Sequence, residues 1–183
     1  MDKAKSNIDR LNRLINDILD LSKMESGKME MHFSSIDIYK LISEFVEVQK
    51  PLAAKKNLFV EVEIEPNLPA ILADNDRLLQ IFNNLVNNAI KFTDQGGITI
   101  SVKSAEEKNF IEFMVQDTGR GVKEEDLRKL FEKFQQVGDS TKQVSGTGLG
   151  LAICKEIVKL HGGQIWADSK WMEGTAFTFL LPI

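Results

Sequence analysis

Leu78-Leu-Gln-Ile-Phe-Asn-Asn-Leu-Val-Asn-Asn-Ala-Ile-Lys-Phe-Thr93 decides how this chain is read. Leu78, Ile81, Phe82, Leu85, Ala89 and Phe92 recur at three- and four-residue steps, the period of a helix with one buried face. Gln80, Asn84, Asn87, Asn88 and Lys91 fall on another face of that helix. Asn is a poor helix former, so a helix this rich in it carries a local penalty. Two readings account for the polar stripe. It is a solvated face, or it is a row of neutral oxygen donors that completes the shell of a hydrated Mg²⁺ while Lys91 meets phosphate.

Working outward, composition sets the bounds. The 183 residues are 43% apolar and 27% charged, as in a globular protein, with length for one domain or one domain plus an appendage. A net charge of −4 without a Lys/Arg cluster argues against a nucleic-acid surface. The single cysteine, Cys154, excludes a disulfide within the chain and suits a small core residue. No run has the length of a membrane span and no signal-peptide pattern opens the sequence. The expected setting is cytoplasmic, including the cytoplasmic portion of a membrane-bound sensor.

N-terminal to the Asn-rich helix, residues 2–25 carry Ile8, Leu11, Ile15 and Ile18 at heptad spacing, widened by Leu14, Leu19 and Leu21. This is an amphipathic helix ending near Ser26-Gly27. A stripe so wide needs more than one partner helix, as in a four-helix bundle, so the expected partner is a second copy or a missing segment, with packing on its own domain as the plainer alternative. Lys28–Ser34 reads as a strand, Ser35–Lys55 as a helix capped by Ser35 or Asp37, and Leu58–Ile64 and Ala70–Ala73 as strands. Asp74 caps the central helix. C-terminal to it, Ile98–Ser104 and Asn109–Gln116 form a hairpin. Lys123–Phe134 reads as a short helix, Gln135–Gly148 as a mobile loop and Leu149–Leu160 as a helix stopped by His161-Gly162-Gly163. Gln164–Ala167 and Gly174–Leu181 make a last strand pair. Strands in adjacent pairs favour an α+β, two-layer α/β sandwich over a doubly wound parallel sheet.

Three further stretches bear chemistry. Asp117-Thr-Gly119-Arg-Gly121 follows a strand. A carboxylate held there can accept from an exocyclic amine such as adenine's, and the glycines let backbone approach a flat ring; an ordinary turn is the plainer alternative. Ser145-Gly146-Thr147-Gly148-Leu149-Gly150 opens a helix and offers amide donors to phosphate, or serves as a hinge with a cap. It is neither the Walker pattern nor a dinucleotide fingerprint. Phe131 and Phe134 flank the loop, either anchoring it or filling core.

Together these stretches resemble the ATP-binding catalytic part of a two-component sensor histidine kinase, of the GHKL superfamily with its Bergerat-type fold. Asn84–Thr93 resembles the N box, Asp117–Gly121 the first glycine box, Phe131–Phe134 the F box, and Gly146–Ala152 the second glycine box. Gly174-Thr175-Ala-Phe177 resembles the final strand. All occur in family order. The resemblance covers residues 28–183 as the catalytic domain, and residues 1–27 resemble the second helix of the dimerisation and phosphotransfer bundle.

The resemblance implies ATP and Mg²⁺ as ligands, with Asn88 and Asn84 on the metal, Lys91 on phosphate and Phe92 near adenosine. Asp117 reads the adenine amine, helped by Thr175 through water, and Gly119 and Gly121 shape the base pocket. Gly146, Thr147, Gly148, Leu149 and Gly150 cradle the triphosphate, Lys142 reaches the γ-phosphate, and Phe131 and Phe134 belong to the nucleotide-binding set. It further implies a phosphoacceptor helix in the same or a second protomer, a response regulator, and a homodimer in the full-length protein. Lys123 and Ser145 depart from the usual Pro and Gly. Neither His32 nor His161 lies in an acidic-His-Pro context on a bundle helix, so the acceptor His is expected elsewhere. In hydrolysing relatives such as gyrase, a Glu is expected where Asn84 stands; a neutral amide is a poor base, which favours transfer to protein over hydrolysis. A GHKL ATPase and a regulatory nucleotide-binding module without transfer activity are the rival readings.

Overall fold

The computed structural model describes residues 2–107, 109–135 and 147–183. Helix α1 (Asp2–Glu25) leads. It ends in a glycine motif in which Gly27 takes φ +66. There Lys28 N–H donates to Lys23 O at 2.9 Å and Gly27 N–H to Met24 O at 3.1 Å, satisfying the terminal carbonyls. Strand β1 (Phe33–Ile36) follows, later than the expected Lys28–Ser34. Its register is set by an antiparallel partner, β3 (Ile71–Asp74), which pairs Phe33 with Asp74 and Ile36 with Ile71. Residues 28–32 have no partner strand among the described residues, and His32 precedes the strand. Helix α2 (Ile38–Ala54) is capped by Asp37, which accepts from Lys40 N–H, and carries Pro51 within it.

Strand β2 (Phe59–Ile64) leads through β3 to the Asn-rich helix α3 (Asn75–Phe92) and then to β4 (Gly97–Ser104). That long crossover places β2 parallel to β4, while every other pairing is antiparallel. Strand β5 (Phe110–Asp117) completes a hairpin with β4. The expected helix over Lys123–Phe134 is only one turn, α4 (Glu124–Leu127). Beyond it the chain continues in tighter i→i−3 bonds, Leu130 N–H to Leu127 O and Glu132 N–H to Lys129 O. Leu130 and Phe131 are thereby drawn against the core. The expected mobile loop lies almost wholly outside the described residues. Helix α5 (Gly150–Leu160) and strands β6 (Gln164–Lys170) and β7 (Gly174–Pro182) close the chain.

The result is a mixed five-stranded sheet, ordered β2-β4-β5-β7-β6, with the helices packed on one face. Inward positions of β5 (Ile111, Phe113, Val115) and β7 (Phe177, Phe179, Leu181) alternate with outward ones and are buried. Phe82 of α3 sits at the centre, 5.6 Å from the Phe45 ring, 5.9 Å from Phe113 and 5.6 Å from Phe179. Phe113 and Phe179 stack at 4.8 Å. This is the expected two-layer sandwich. Among the described residues, no helix is long and apolar enough to cross a membrane.

Candidate nucleotide site

Helix α3 is fixed at both ends. At its start, the Asp74 carboxylate accepts from Asp76 N–H and Arg77 N–H, each at 3.1 Å, and from His32 N–H at 2.8 Å. Burial raises the Asp74 pKa, but these bonds and the Arg77 charge outweigh it, and the carboxyl lies below its ordinary value. Asp74 N–H in turn donates to His161 Nε2 at 3.0 Å, and His161 Nδ1 lies 2.8 Å from Ile157 O. The ring is therefore the neutral tautomer with its proton on Nδ1. His161 thereby straps the end of α5 to the start of α3. At the other end, Lys56 Nζ donates to Ile90 O (2.7 Å), Lys91 O (3.3 Å) and Thr93 O (3.0 Å).

Between these anchors the polar stripe divides. Gln80 donates to Asp20 of α1 and accepts from Arg77, so it serves packing. Asn84, half-buried, donates through Nδ2 to Gly150 O at 3.2 Å, which brings the start of α5 against the middle of α3. Asn88 stands one turn on, also half-buried. Lys91 Nζ and the Arg120 guanidinium each lie 4.7 Å from the Phe92 ring centroid.

The loop after β5 packs on the end of α3. Arg120 N–H donates to Phe92 O. A side chain at Gly119 would come within 2.6 Å of Phe92 O, 2.8 Å of Asp117 Oδ1 and 2.9 Å of Thr93 Oγ1, so only glycine fits. Gly121 takes φ +64 with its Cα facing the Lys170 carbonyl. Asp117 is 5% exposed and its Oδ1 accepts from Gly119 N–H at 2.8 Å. Burial pushes its carboxyl above the ordinary value, against the pull of the Gly119 and Thr175 N–H groups. Thr175, buried, lies opposite Asp117 in the β5–β7 register. The Thr93 hydroxyl is buried beside this loop with no hydrogen-bond partner among the described residues. A buried polar atom left so calls for a partner that the protein itself does not supply, such as a water or a ligand.

Helix α5 begins without a side-chain cap, and its first-turn amides are thus available to an anion. The Thr147 hydroxyl accepts from Leu149 N–H at 3.2 Å and donates to Asp17 Oδ2 of α1 at 3.1 Å. Gly148 abuts the Phe134–Gln135 backbone. Phe131 turns inward, edge-on to Phe177 at 6.3 Å, while Phe134 is exposed at φ +60. Lys142 and Gly146 lie outside the described residues. Cys154, between α5 and α3, is fully buried, which pushes its thiol up to about 12 even with Asn84 pulling the other way. It is an unreactive core residue.

Residues 73–183 match the family of histidine kinase-, DNA gyrase B- and HSP90-like ATPases. The chain belongs to that family. Hybrid signal transduction histidine kinase L of Dictyostelium discoideum is 40% identical over 183 residues, covering 97% of this chain and 11% of that protein. Sensor histidine kinase WalK of Bacillus subtilis is 36% identical, covering 98% of this chain and 30% of WalK. The crystal structure of full-length ShkA in complex with AMPPNP superposes with a TM-score of 0.85 at 33% identity, over 95% of this chain and 36% of ShkA. The chain thus spans about a tenth to a third of these relatives and is an ATPase domain of the histidine kinase type.

In that family frame, the N box, first glycine box and second glycine box are brought together by the Asn84–Gly150 and Arg120–Phe92 bonds. Three contributors escaped the sequence. Lys56 acts across 34 or more residues, so nothing local marks it. Thr93 closes the stretch that resembles the N box, and the sequence gives its hydroxyl no role of its own. Ser169 did carry a signal, a hydroxyl on the β6 face that is otherwise Ile165 and Ala167, and its Oγ lies 2.9 Å from Thr175 Oγ1.

Proposed function

We propose that this chain binds Mg·ATP and presents the γ-phosphoryl group to a His on a separate bundle helix. One observation carries the reading. Asn84 holds the uncapped start of α5 against α3, whose C-terminal end carries the buried Asp117 loop. Base, metal and phosphate positions thereby share one helix. Asp117 accepts from the adenine amine, with Thr175 beside it, and Gly119 and Gly121 leave room for the ring. Phe92, with its two cations, lies toward the adenosine, and Lys91 toward phosphate. Gly148 and Gly150 offer backbone amides to the triphosphate, with Thr147 and Leu149 shaping the cradle, joined by Gly146 and Lys142 from the segment before them. Phe134, exposed, and Phe131, turned to the core, complete the nucleotide-binding set.

The donor set fits Mg²⁺. Asn84 and Asn88 supply neutral oxygens from adjacent turns of α3, and the phosphates supply the charge. Bound there, the metal neutralises charge on the transferring phosphoryl group. Among the described residues no cluster of three His, Cys, Asp or Glu side chains offers an all-protein metal cage. Asn84 is a neutral amide whose nitrogen is engaged by Gly150 O, so it cannot serve as the base for water. That weighs against hydrolysis as the main reaction.

Residues 1–27 are read as the second helix of a dimerisation and phosphotransfer bundle, and residues 28–183 as the catalytic domain. The acceptor His then comes from a helix of the same or a second protomer in a homodimer, and a response regulator takes the phosphoryl group onward. A crystal structure of histidine kinase ThkA with response regulator TrrA aligns over 97% of this chain, with a TM-score of 0.75 at 26% identity. ATP as donor and a buried, reduced Cys154 accord with a cytoplasmic setting. The test is Mg²⁺-dependent transfer of γ-label to an added bundle helix carrying a His, with Asn88→Ala as control. Asn88→Ala should weaken Mg·ATP more than metal-free nucleotide. ATP turnover to phosphate without label on the helix would instead place the chain among the hydrolysing members.

A further inference from the structure

We infer that Ser169 sets the base specificity of this site, by fixing the Thr175 hydroxyl as a hydrogen-bond acceptor beside Asp117. The inference rests on the reading of the cleft as an ATP site and deepens it. Ser169, Thr175 and Asp117 form one row across β6, β7 and β5, since Ser169 pairs with Thr175 and Thr175 with Asp117. Both Thr175 and Asp117 are buried.

Three groups surround Ser169 Oγ. Gly174 O lies at 2.7 Å, Val122 N at 2.8 Å and Thr175 Oγ1 at 2.9 Å. A hydroxyl has one proton and two lone pairs. The Gly174 carbonyl can only accept, so it takes the Ser169 proton. The Val122 N–H can only donate, so it occupies one lone pair. The remaining lone pair leaves Thr175 as the donor to Ser169. Thr175 has no second proton, so whatever meets it from the cleft meets lone pairs. Asp117, when ionised, is likewise acceptor-only. The rim of the base pocket is therefore a pair of acceptors held in a low-dielectric row. Its complement is a purine edge that donates, the 6-amino group of adenine. A 6-oxo purine sets its own lone pairs against the same row.

Without Ser169, the Thr175 hydroxyl is free to turn and donate to a 6-oxo group. The predicted effect is on selectivity. Ser169 also holds Val122 at the end of the Asp117–Gly121 loop, but a purely structural loss would weaken every purine nucleotide alike.

The experiment measures dissociation constants for Mg·ATP and Mg·ITP on the whole chain by calorimetry, in wild type, Ser169→Ala, Ser169→Thr, Thr175→Val and the Ser169→Ala/Thr175→Val double variant. The expected result is that the ATP-over-ITP preference falls roughly tenfold in Ser169→Ala, the scale of one misdirected buried hydrogen bond. Ser169→Thr restores it, and Ser169→Ala changes it no further once Thr175 is Val. Should Ser169→Ala fail to fold, Ser169→Cys is read in the same way, since a thiol is a weak acceptor. An unchanged preference in a folded Ser169 variant, with both nucleotides weakened equally, overturns the inference while leaving the ATP site intact. Wild-type protein that binds neither nucleotide overturns the ATP-site reading and this inference together.

Discussion

Asp117 is a buried carboxylate whose proposed role in binding comes at the expense of stability. Its pKa lies above the ordinary value, so ionisation is disfavoured in the folded state. By linkage, its contribution favours the fold below its unfolded pKa and is lost as pH rises through the folded one. Asp117→Asn is therefore expected to keep or raise thermal stability at neutral pH. The same change presents an NH₂ where the adenine amine needs an acceptor, a mismatch of roughly 1–3 kcal/mol, so ATP affinity should fall tenfold or more. Calorimetry beside a thermal melt checks both halves, and near-normal affinity in the folded variant would sink the assignment. Acidification should act similarly in wild type. Affinity should drop while exposed carboxylates are still ionised, because the protonated acid no longer accepts as strongly. Asp74 has the opposite sign. With its pKa lowered, the stability from its cap is present above the unfolded pKa and is lost only as pH falls through the folded one. Binding should thus fail before the fold as pH is lowered, a sequence that parallel circular dichroism and binding titrations would detect.

Helix α3 is held at both ends. Its last carbonyls face Lys56 and Arg120 N–H rather than bulk water, and Lys91, Phe92 and the Asp117 loop depend on that end. Lys56→Met keeps the aliphatic stem and removes the donor. It is expected to lower stability by about 1–2 kcal/mol, the scale of a charge-assisted hydrogen bond at a helix C-terminus. ATP affinity should fall several-fold through displaced Lys91 and Phe92. Lys56→Arg should recover only part of this, since a planar fork does not meet three carbonyls as an ammonium does. Urea midpoints and ATP titrations on the same samples test it. A stability loss with unchanged affinity would show that the end of α3 does not position the site.

At the scale of the molecule, α1 is joined to the nucleotide cleft. Leu21 and Met24 are buried against the catalytic body. Asp20 pairs with Arg77 at 2.9 Å, Glu25 pairs with Lys133, and Asp17 takes the Thr147 hydroxyl. Burial raises the Asp17 pKa against the pull of Thr147 and Arg13. The stripe of Ile8, Leu11, Ile15, Ile18 and Leu19 stays exposed. This chain covers Leu21 and Met24, while the rest of the stripe is the face the proposed bundle partner would cover. Phosphoryl transfer needs a nucleophile about 3–3.5 Å from phosphorus. His161 has both ring nitrogens engaged and is buried, and His32 is exposed outside any helix. The chain is therefore expected to bind ATP without labelling itself. Acid-labile γ-label on this chain, lost in a His32 or His161 variant, would show that the acceptor lies within it.

Period and punctuation in the sequence were enough for α1, α2, α3, α5, both hairpins and the two-layer class, because burial of one face imposes a repeat that survives in a single chain. The Asn84–Asn88 pair, Asp117 with its two glycines and the uncapped start of α5 were legible for the same reason, being local spacings. What only tertiary structure decided lies in contacts between distant segments. The parallel seat of β2 and the shift of β1 were set by partner strands. The turn after α4 was set by Leu130 and Phe131 reaching the core. Asn84 acquired its structural role from Gly150, Lys56 its role from three carbonyls more than thirty positions away, and His161 its tautomer from Asp74. The proton on Thr175 was fixed by Ser169, Gly174 and Val122 together. A hydrogen bond has a direction only when both ends and their other partners are in place, and the sequence names those atoms without placing them.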